Sequence, residues 1–427
     1  MSLTARDQQV IWHPYTQHKN MVPPVPVLYG KGALLFDENN KTYIDAISSW
    51  WVNIHGHAHP YIAEKIYEQA KKLQQVIFTS FTHEPAIKLA ERLLQILPGH
   101  FSKIFYSDNG STAVEVAIKM AIQYWKNQSA KGRNKILAFR NSYHGDTFGS
   151  MSVSERGVFT LAFYDYLFEV IFIDTPTQEN IDGIKKFLEL NGDEIACFIY
   201  EPLLQAAGGM HIYDPSLLDD LLVTIKSKNI ICIADEVMTG FGRTGKLFAG
   251  EYMQAGPDII CLSKGLTGGT MAMGVTASSQ NIFDAFLSDD KSKSFFHGHS
   301  FTANPIACSA ALASLDLFEK KECLQQINRI VEYNKNFMNR LAGKYSLSDS
   351  KGYTIKNLRQ LGTVVAFEMI GGEDGYLNTI SASVTENAMQ KGIYLRPLGN
   401  TVYIMPPYCI TEDELNRVYD FLLELIE

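Results

Sequence analysis

Two residues of opposite charge stand at the ends of two short apolar runs. Asp235 follows Ile230–Ala234, and Lys264 comes just after Ile259–Leu262. Both runs are rich in β-branched residues and bounded by polar and Gly signals, the pattern of buried strands. Open α/β sheets bind ligands outside the carboxyl ends of their strands, so a carboxylate and an amine are delivered to one rim. That pair suits pyridoxal phosphate. A Lys amine forms a Schiff base with its aldehyde, and an acid partners its pyridinium nitrogen so that the ring accepts electrons from a substrate carbanion. Ser263 and Gly265 leave little bulk beside the amine. On these two residues alone, a helix-capping Asp and a solvated loop Lys remain an alternative.

The elements that would position the pair alternate. Lys103–Tyr106, Ile136–Phe139, Phe168–Ile173 and Ile195–Tyr200 read as strands, the last closed by Glu201-Pro202, and Met273–Ala277 as another. Strands alternating with helices from about 100 to 265 predict a mainly parallel sheet. A helix opens after Ser107, with Thr112 and Glu115 at capping-box spacing and a buried stripe of Val114, Ala117, Ile118, Ala121 and Trp125. Gly110-Ser111 at its start would suit a phosphate, because free N–H groups and the helix dipole face an anion there; simple capping explains the same residues. Tyr143 follows a strand and is placed to stack on a planar cofactor.

The flanks differ in character. Runs at Leu34–Phe36 and Tyr43–Ile47 form a small β meander that ends in Ser48, Ser49, Trp50 and Trp51. Packing and a binding role are both open for the tryptophans. His55, His57 and His59 alternate, but Gly56 and Pro60 break strand geometry and no further ligand follows, so no metal site is expected. Gly240 to Lys246 fits most of a phosphate-binding P-loop. Leu247 stands where its magnesium-holding hydroxyl belongs, which excludes nucleotide binding by that route. A long helical region runs to about 342. Beyond it, Leu361–Met369, Tyr394–Pro397 and Val402–Met405 read as strands, and Val384–Lys391 and Glu412–Ile426 as helices. Arg396 lies on one of these strands, either solvated or as a bidentate carboxylate clamp.

A chain of 427 residues exceeds one ordinary core, so two domains are expected. A net charge of −8 argues against nucleic acid or an anionic membrane as partner. The start has no apolar signal region and no run is long enough to span a bilayer, which predicts a cytoplasmic protein. The six cysteines have no ligand spacing and read as buried thiols.

Several segments together resemble the class III aminotransferases of the fold-type I pyridoxal phosphate enzymes: SDNGSTAVEVAIKMA, IADEVMTGFGRTG and CLSKGLTGG. IWHPYTQ, SSWWVNIHGH, FRNSYHGDTFGSMSV, EPLLQAAGGM, HGHSFTANP and IYLRPLGN narrow the resemblance to the branch that aminates 8-amino-7-oxononanoate in biotin synthesis. It implies a large domain over 51–335 with a mainly parallel seven-stranded sheet flanked by helices, and a small α+β domain from 1–50 and 336–427. It implies pyridoxal 5'-phosphate as cofactor, S-adenosylmethionine as donor, with lysine as the alternative, and a homodimer with shared active sites. By the same resemblance, Lys264 carries the cofactor and shuttles the proton, Asp235 pairs with the ring nitrogen, and Tyr143 lies on the ring face and borders the substrate. Gly110 and Ser111 bind phosphate, joined by His299 and Ser300 of the neighbouring subunit. Tyr15, Trp50 and Gly298 line the substrate pocket, Arg396 clamps the acceptor carboxylate, and Arg243 and Asp146 support the pocket less directly. The chain departs from relatives with Pro-Thr at 299–300; Ser300 keeps the hydroxyl.

Overall fold

The computed structural model describes residues 1–130, 132–345, 354–370 and 380–426. Its strands in chain order are β1 (Val27–Lys31), β2 (Leu34–Asp37), β3 (Thr42–Asp45), β4 (Lys103–Ser107), β5 (Lys135–Phe139), β6 (Ile171–Ile173), β7 (Ile195–Tyr200), β8 (Leu204–Gln205) and β9 (His211–Ile212). There follow β10 (Ile231–Asp235), β11 (Ile259–Leu262), β12 (Gly274–Ser278), β13 (Thr354–Leu361), β14 (Val364–Ile370), β15 (Ile393–Tyr394) and β16 (Thr401–Ile404).

The large sheet has seven strands in the order β4-β12-β11-β10-β7-β5-β6. Only β12 runs against the others, antiparallel to both β11 and β4. Every residue of β7, β10 and β11 is buried. A parallel sheet covered by helices on both faces needs such continuous apolar strands. On one face the helix Gly110–Asn127 packs Ala113, Val114, Ala117 and Ala121 in a cluster with Ile233, Ile259 and Cys261. The expected cap is moved by three residues. Asn109 is the N-cap and accepts from Thr112 N at 2.9 Å, while Thr112 Oγ1 accepts from Asn109 N at 3.1 Å. Glu115 turns away and accepts from Gly149 N at 2.6 Å.

The two ends of the chain meet in a smaller sheet, β1-β2-β3-β15. β15 pairs parallel with β3, Ile393 opposite Ile44 and Tyr394 opposite Asp45. Met405 N donates to Ala46 O at 2.8 Å, which ties the end of β16 to the same place. The expected strand Tyr394–Pro397 is therefore only Ile393–Tyr394, and Arg396 lies past its end. The single strand expected at 361–369 is a hairpin, β13 and β14, turning at Gly362 (φ +56°). A Cβ there would stand 2.1 Å from the carbonyl carbon of Thr244, so only glycine lets the turn approach the 240–247 loop. The long helical region divides into Pro305–Phe318 and Lys321–Tyr345, and the expected domain boundary at 335/336 falls inside the second helix.

Five of the six cysteines are buried, Cys409 is half-buried, and all are free thiols. Among the described residues, no helix is long and apolar enough to cross a membrane.

Candidate active site

Asp235 ends β10, and Lys264 begins a 3-10 turn two residues after β11, with φ +47°. The two strands are adjacent and parallel, so both side chains emerge on one rim and line one cavity of about 400 Å³. Gly110, Ser111, Tyr143, His144 and Glu201 line it too.

The electrostatics of this cavity follow from burial. Asp235 is 5% exposed. Its Oδ1 accepts from Val237 N at 3.0 Å, and its Oδ2 lies 2.7 Å from His144 Nδ1, which donates. Burial pushes the Lys264 ammonium down from its ordinary range, with Asp235 and Glu201 opposing and Arg243 adding to the fall. A lysine shifted this way yields a free amine more readily. Its Nζ also sits 4.8 Å from the centre of the Trp51 ring. Glu201, just past β7, accepts from Tyr143 N and from Ala206 N, both at 3.0 Å. Desolvation raises its carboxyl to about 7; His144 opposes the rise and Asp235 reinforces it.

At the other end of the cavity is the start of the helix Gly110–Asn127. A Cβ at Gly110 would meet Val237 Cγ1 at 2.6 Å, and one at Gly145 (φ +128°) would meet Ser111 Oγ at 2.1 Å. Bare backbone at both positions opens the helix N-terminus to an anion. A carboxylate at one end, an amine at the side, an aromatic wall and an anion cup fit a phosphorylated pyridine aldehyde.

Tyr15, Trp50 and Arg396 are not part of the cavity wall; they adjoin it through Tyr143 and Trp51 and form a mouth beside it. Tyr15 Oη is 3.2 Å from Tyr143 Oη and donates to the Asp146 carboxylate. The rings of Tyr15 and Trp50 meet edge to face at 5.4 Å, and the Arg396 guanidinium lies 4.5 Å from the centre of the Trp50 ring. Among the described residues no carboxylate or carbonyl accepts from Arg396. The Tyr143 phenol is pushed up by burial first and by Asp146 second.

Some expected members lie elsewhere. Gly298 and Ser300 are exposed, and neither they nor His299 line the cavity of their own chain. Their segment is drawn along the helix Gly110–Asn127, where Gln123 and Asn127 donate to Lys293 O at 3.2 and 3.1 Å and Lys119 Nζ is 3.0 Å from His297 Nδ1. Arg243 is buried and donates to Pro406 O at 3.0 Å and to Trp51 O and Asn53 O at 3.4 Å, so it holds the loops around the cavity. The histidine loop is occupied by packing: His55 Nε2 is 2.9 Å from Ser314 Oγ, and His57 Nε2 is 2.9 Å from Asp45 Oδ2.

His144 and Glu201 were not singled out by the sequence. Their signal was positional, since each follows the end of a sheet strand, but nothing local tells a cavity residue from a loop residue there.

The family model described as aminotransferase class-III matches residues 15–426. The chain is a class III aminotransferase. It is 43% identical over 427 residues to the adenosylmethionine-8-amino-7-oxononanoate aminotransferase of Synechococcus elongatus, covering 98% of each chain. It is 37% identical to the protein of the same name from Helicobacter pylori, covering 100% of this chain and 98% of that one. The crystal structure of the protein so named from Methanocaldococcus jannaschii superposes with a TM-score of 0.92 at 35% identity, covering 99% and 98% of the chains. An amine transaminase from an uncultivated Pseudomonas species, solved in its PLP-bound form, superposes at 0.89 with 27% identity and 98% coverage of each chain. The aminotransferase thus has the fold-type I architecture, and pyridoxal 5'-phosphate is its cofactor.

Proposed function

We propose that this aminotransferase converts 8-amino-7-oxononanoate to 7,8-diaminononanoate in biotin synthesis, with S-adenosylmethionine as amino donor, as a cytoplasmic homodimer. The observation that carries the reading is the mouth of the cavity. An arginine with no anionic partner among the described residues is stacked on Trp50, at the edge of an aromatic wall that includes Tyr15 and Tyr143. An acceptor with a long apolar chain and a terminal carboxylate suits that wall, and a planar guanidinium takes the carboxylate by two hydrogen bonds. The same rings suit a sulfonium donor by cation–π contact. The relatives named for this reaction support the assignment.

When bound, the cofactor supplies an electron sink for the carbon that loses its proton. Lys264 Nζ would hold the cofactor, and as a free amine it would take that proton and return it. Asp235 would partner the ring nitrogen of the bound cofactor, and His144 keeps its carboxylate oriented. Tyr143 bounds the ring face and the substrate. Gly110 and Ser111 would give N–H groups to the phosphate, and His299 and Ser300 from a second copy would complete that cup. Gly298 of that loop borders the substrate.

The test is amino-group transfer to 8-amino-7-oxononanoate by purified protein against a panel of donors. Transfer from S-adenosylmethionine is expected. Transfer from lysine alone would change the donor, and transfer only to other ketones or aldehydes would place the chain elsewhere in the class.

A further inference from the structure

The turn that carries the two tryptophans is strained. Ser48, Ser49 and Trp51 have φ of 54°, 62° and 67°. Side chains with a Cβ seldom adopt left-handed backbone, so three such residues within four persist only where their surroundings hold them. The holder is Asp45, the last residue of β3. Its carboxylate, 0% exposed, accepts from Ser49 N at 2.8 Å, Ser49 Oγ at 3.0 Å and Ile47 N at 3.3 Å, and meets His57 Nε2 at 2.9 Å. Ser48 Oγ donates to Met405 O at 2.8 Å and fixes the turn from its other side.

This geometry separates two adjacent rings. Trp51 turns inward, 4% exposed, donates its Nε1–H to Tyr403 Oη at 2.9 Å, and stands by Lys264. Trp50 turns outward, 38% exposed, and lies between Tyr15 and Arg396. The left-handed backbone at Ser48, Ser49 and Trp51 sets the particular directions of the two indoles, one toward Lys264 and one toward Arg396. Asp45 itself lines neither the cavity nor its mouth, so whatever it does for the reaction is done through the turn.

We infer that Asp45 is a positioning residue for substrate choice. Its buried carboxylate locks the Ser48–Trp51 turn so that Trp50 supports Arg396, and it thereby sets affinity for the acceptor, whose carboxylate stands at the far end of an apolar chain, away from the reacting carbon. The inference rests on the reading of Arg396 and Trp50 as substrate-binding groups. A charged acceptor suits the task because four donors converge on it. An amide there would turn its NH2 toward the Ser49 hydroxyl or the His57 ring and lose at least one of those bonds.

The experiment is a double-mutant cycle in the holoenzyme. Asp45→Asn and the milder Ser49→Ala are made alone and combined with Trp50→Ala. KM for 8-amino-7-oxononanoate, KM for the donor and cofactor affinity by absorbance titration are then measured. Asp45→Asn is expected to raise the acceptor KM about tenfold and Ser49→Ala about threefold, with cofactor affinity held within about twofold. Neither should add to the effect of Trp50→Ala. Effects that add in full to Trp50→Ala, or that strike cofactor affinity and both KM values alike, would overturn the inference by showing a general structural role. An acceptor KM unmoved by Asp45→Asn and Ser49→Ala while Trp50→Ala raises it would overturn it as well. If Trp50→Ala and Arg396→Ala both leave the acceptor KM unchanged, the underlying reading of the mouth fails first. Should Asp45→Asn not fold, Ser49→Ala, which deletes one hydrogen bond and no charge, decides the matter.

Discussion

His144 and Asp235 form a buried pair, Nδ1 to Oδ2 at 2.7 Å, with the imidazole fully withdrawn from solvent. The contact orients one carboxylate oxygen while Val237 N holds the other. Asp235→Asn should remove the charge; the amide keeps one accepting oxygen for Val237 N and turns its NH2 to His144, whose Nδ1 must then accept. A loss of several kcal/mol in transition-state stabilisation is expected, of the order seen for other preorganised charges. His144→Ala should cost less, about tenfold in kcat/KM, because the charge stays and only its orientation is lost. Steady-state kinetics check both. A loss below about tenfold (~1.4 kcal/mol) for Asp235→Asn would remove it from the role.

Lys264→Ala should still bind the cofactor through the helix N-terminus and the walls of the cavity, yet complete no turnover. After borohydride treatment, the wild-type peptide around Lys264 should carry the cofactor by mass spectrometry. Transamination at the wild-type rate by the purified variant would refute the assignment.

Arg396→Ala should mainly raise the KM of the acceptor. A charge-assisted hydrogen bond of this kind contributes roughly 1.5–3 kcal/mol, hence about ten- to a hundredfold. Arg396→Lys should recover only part, since an ammonium lacks the planar fork. Single-turnover kinetics on each half-reaction separate the two substrates. Equal damage to both halves would make Arg396 structural.

If two copies share their sites, two inactive variants should repair each other. Lys264→Ala and a variant altered at His299 and Ser300 are each expected to be impaired alone. Co-assembled, they form one mixed site with an intact lysine and an intact loop, and activity should partly return. A stable, fully active monomer by sedimentation would refute sharing.

Glu201 makes a prediction in pH. Its carboxyl sits at about 7 in the folded protein against an ordinary 4.5. The folded state therefore keeps a proton that the unfolded chain releases. The resulting stabilisation is complete below about pH 4.5 and is lost as pH rises through about 7. In Glu201→Gln that dependence disappears, so the Tm of the cofactor-free variant should fall less than wild type between about pH 5 and about pH 8. Glu236, also raised to about 7 by burial, still titrates, so the slope shrinks and does not vanish. Identical slopes in variant and wild type would show that Glu201 is ionised throughout.

The sequence by itself determined the centre of the site. Buried parallel strands are continuous apolar runs with sharp polar ends, so Asp235 and Lys264 announced their own strands and their common rim. The helix beginning at Gly110 was equally legible, because capping and the apolar stripe are local properties, although its cap proved to be Asn109. Arg396, Trp50 and Tyr15 were named by resemblance; the pairing of β15 with β3, which joins segments about 350 residues apart, brings Arg396 to Trp50, and contacts with Tyr143 and Asp146 bring Tyr15 there. His144 and Glu201 reach their partners across 91 and 58 residues, distances at which spacing carries no signal. The division of labour between Trp50 and Trp51 was also hidden. Two identical side chains in a row have identical propensities, and it is the tertiary structure, with a left-handed turn bonded to Asp45, that places one by the lysine and the other by the arginine.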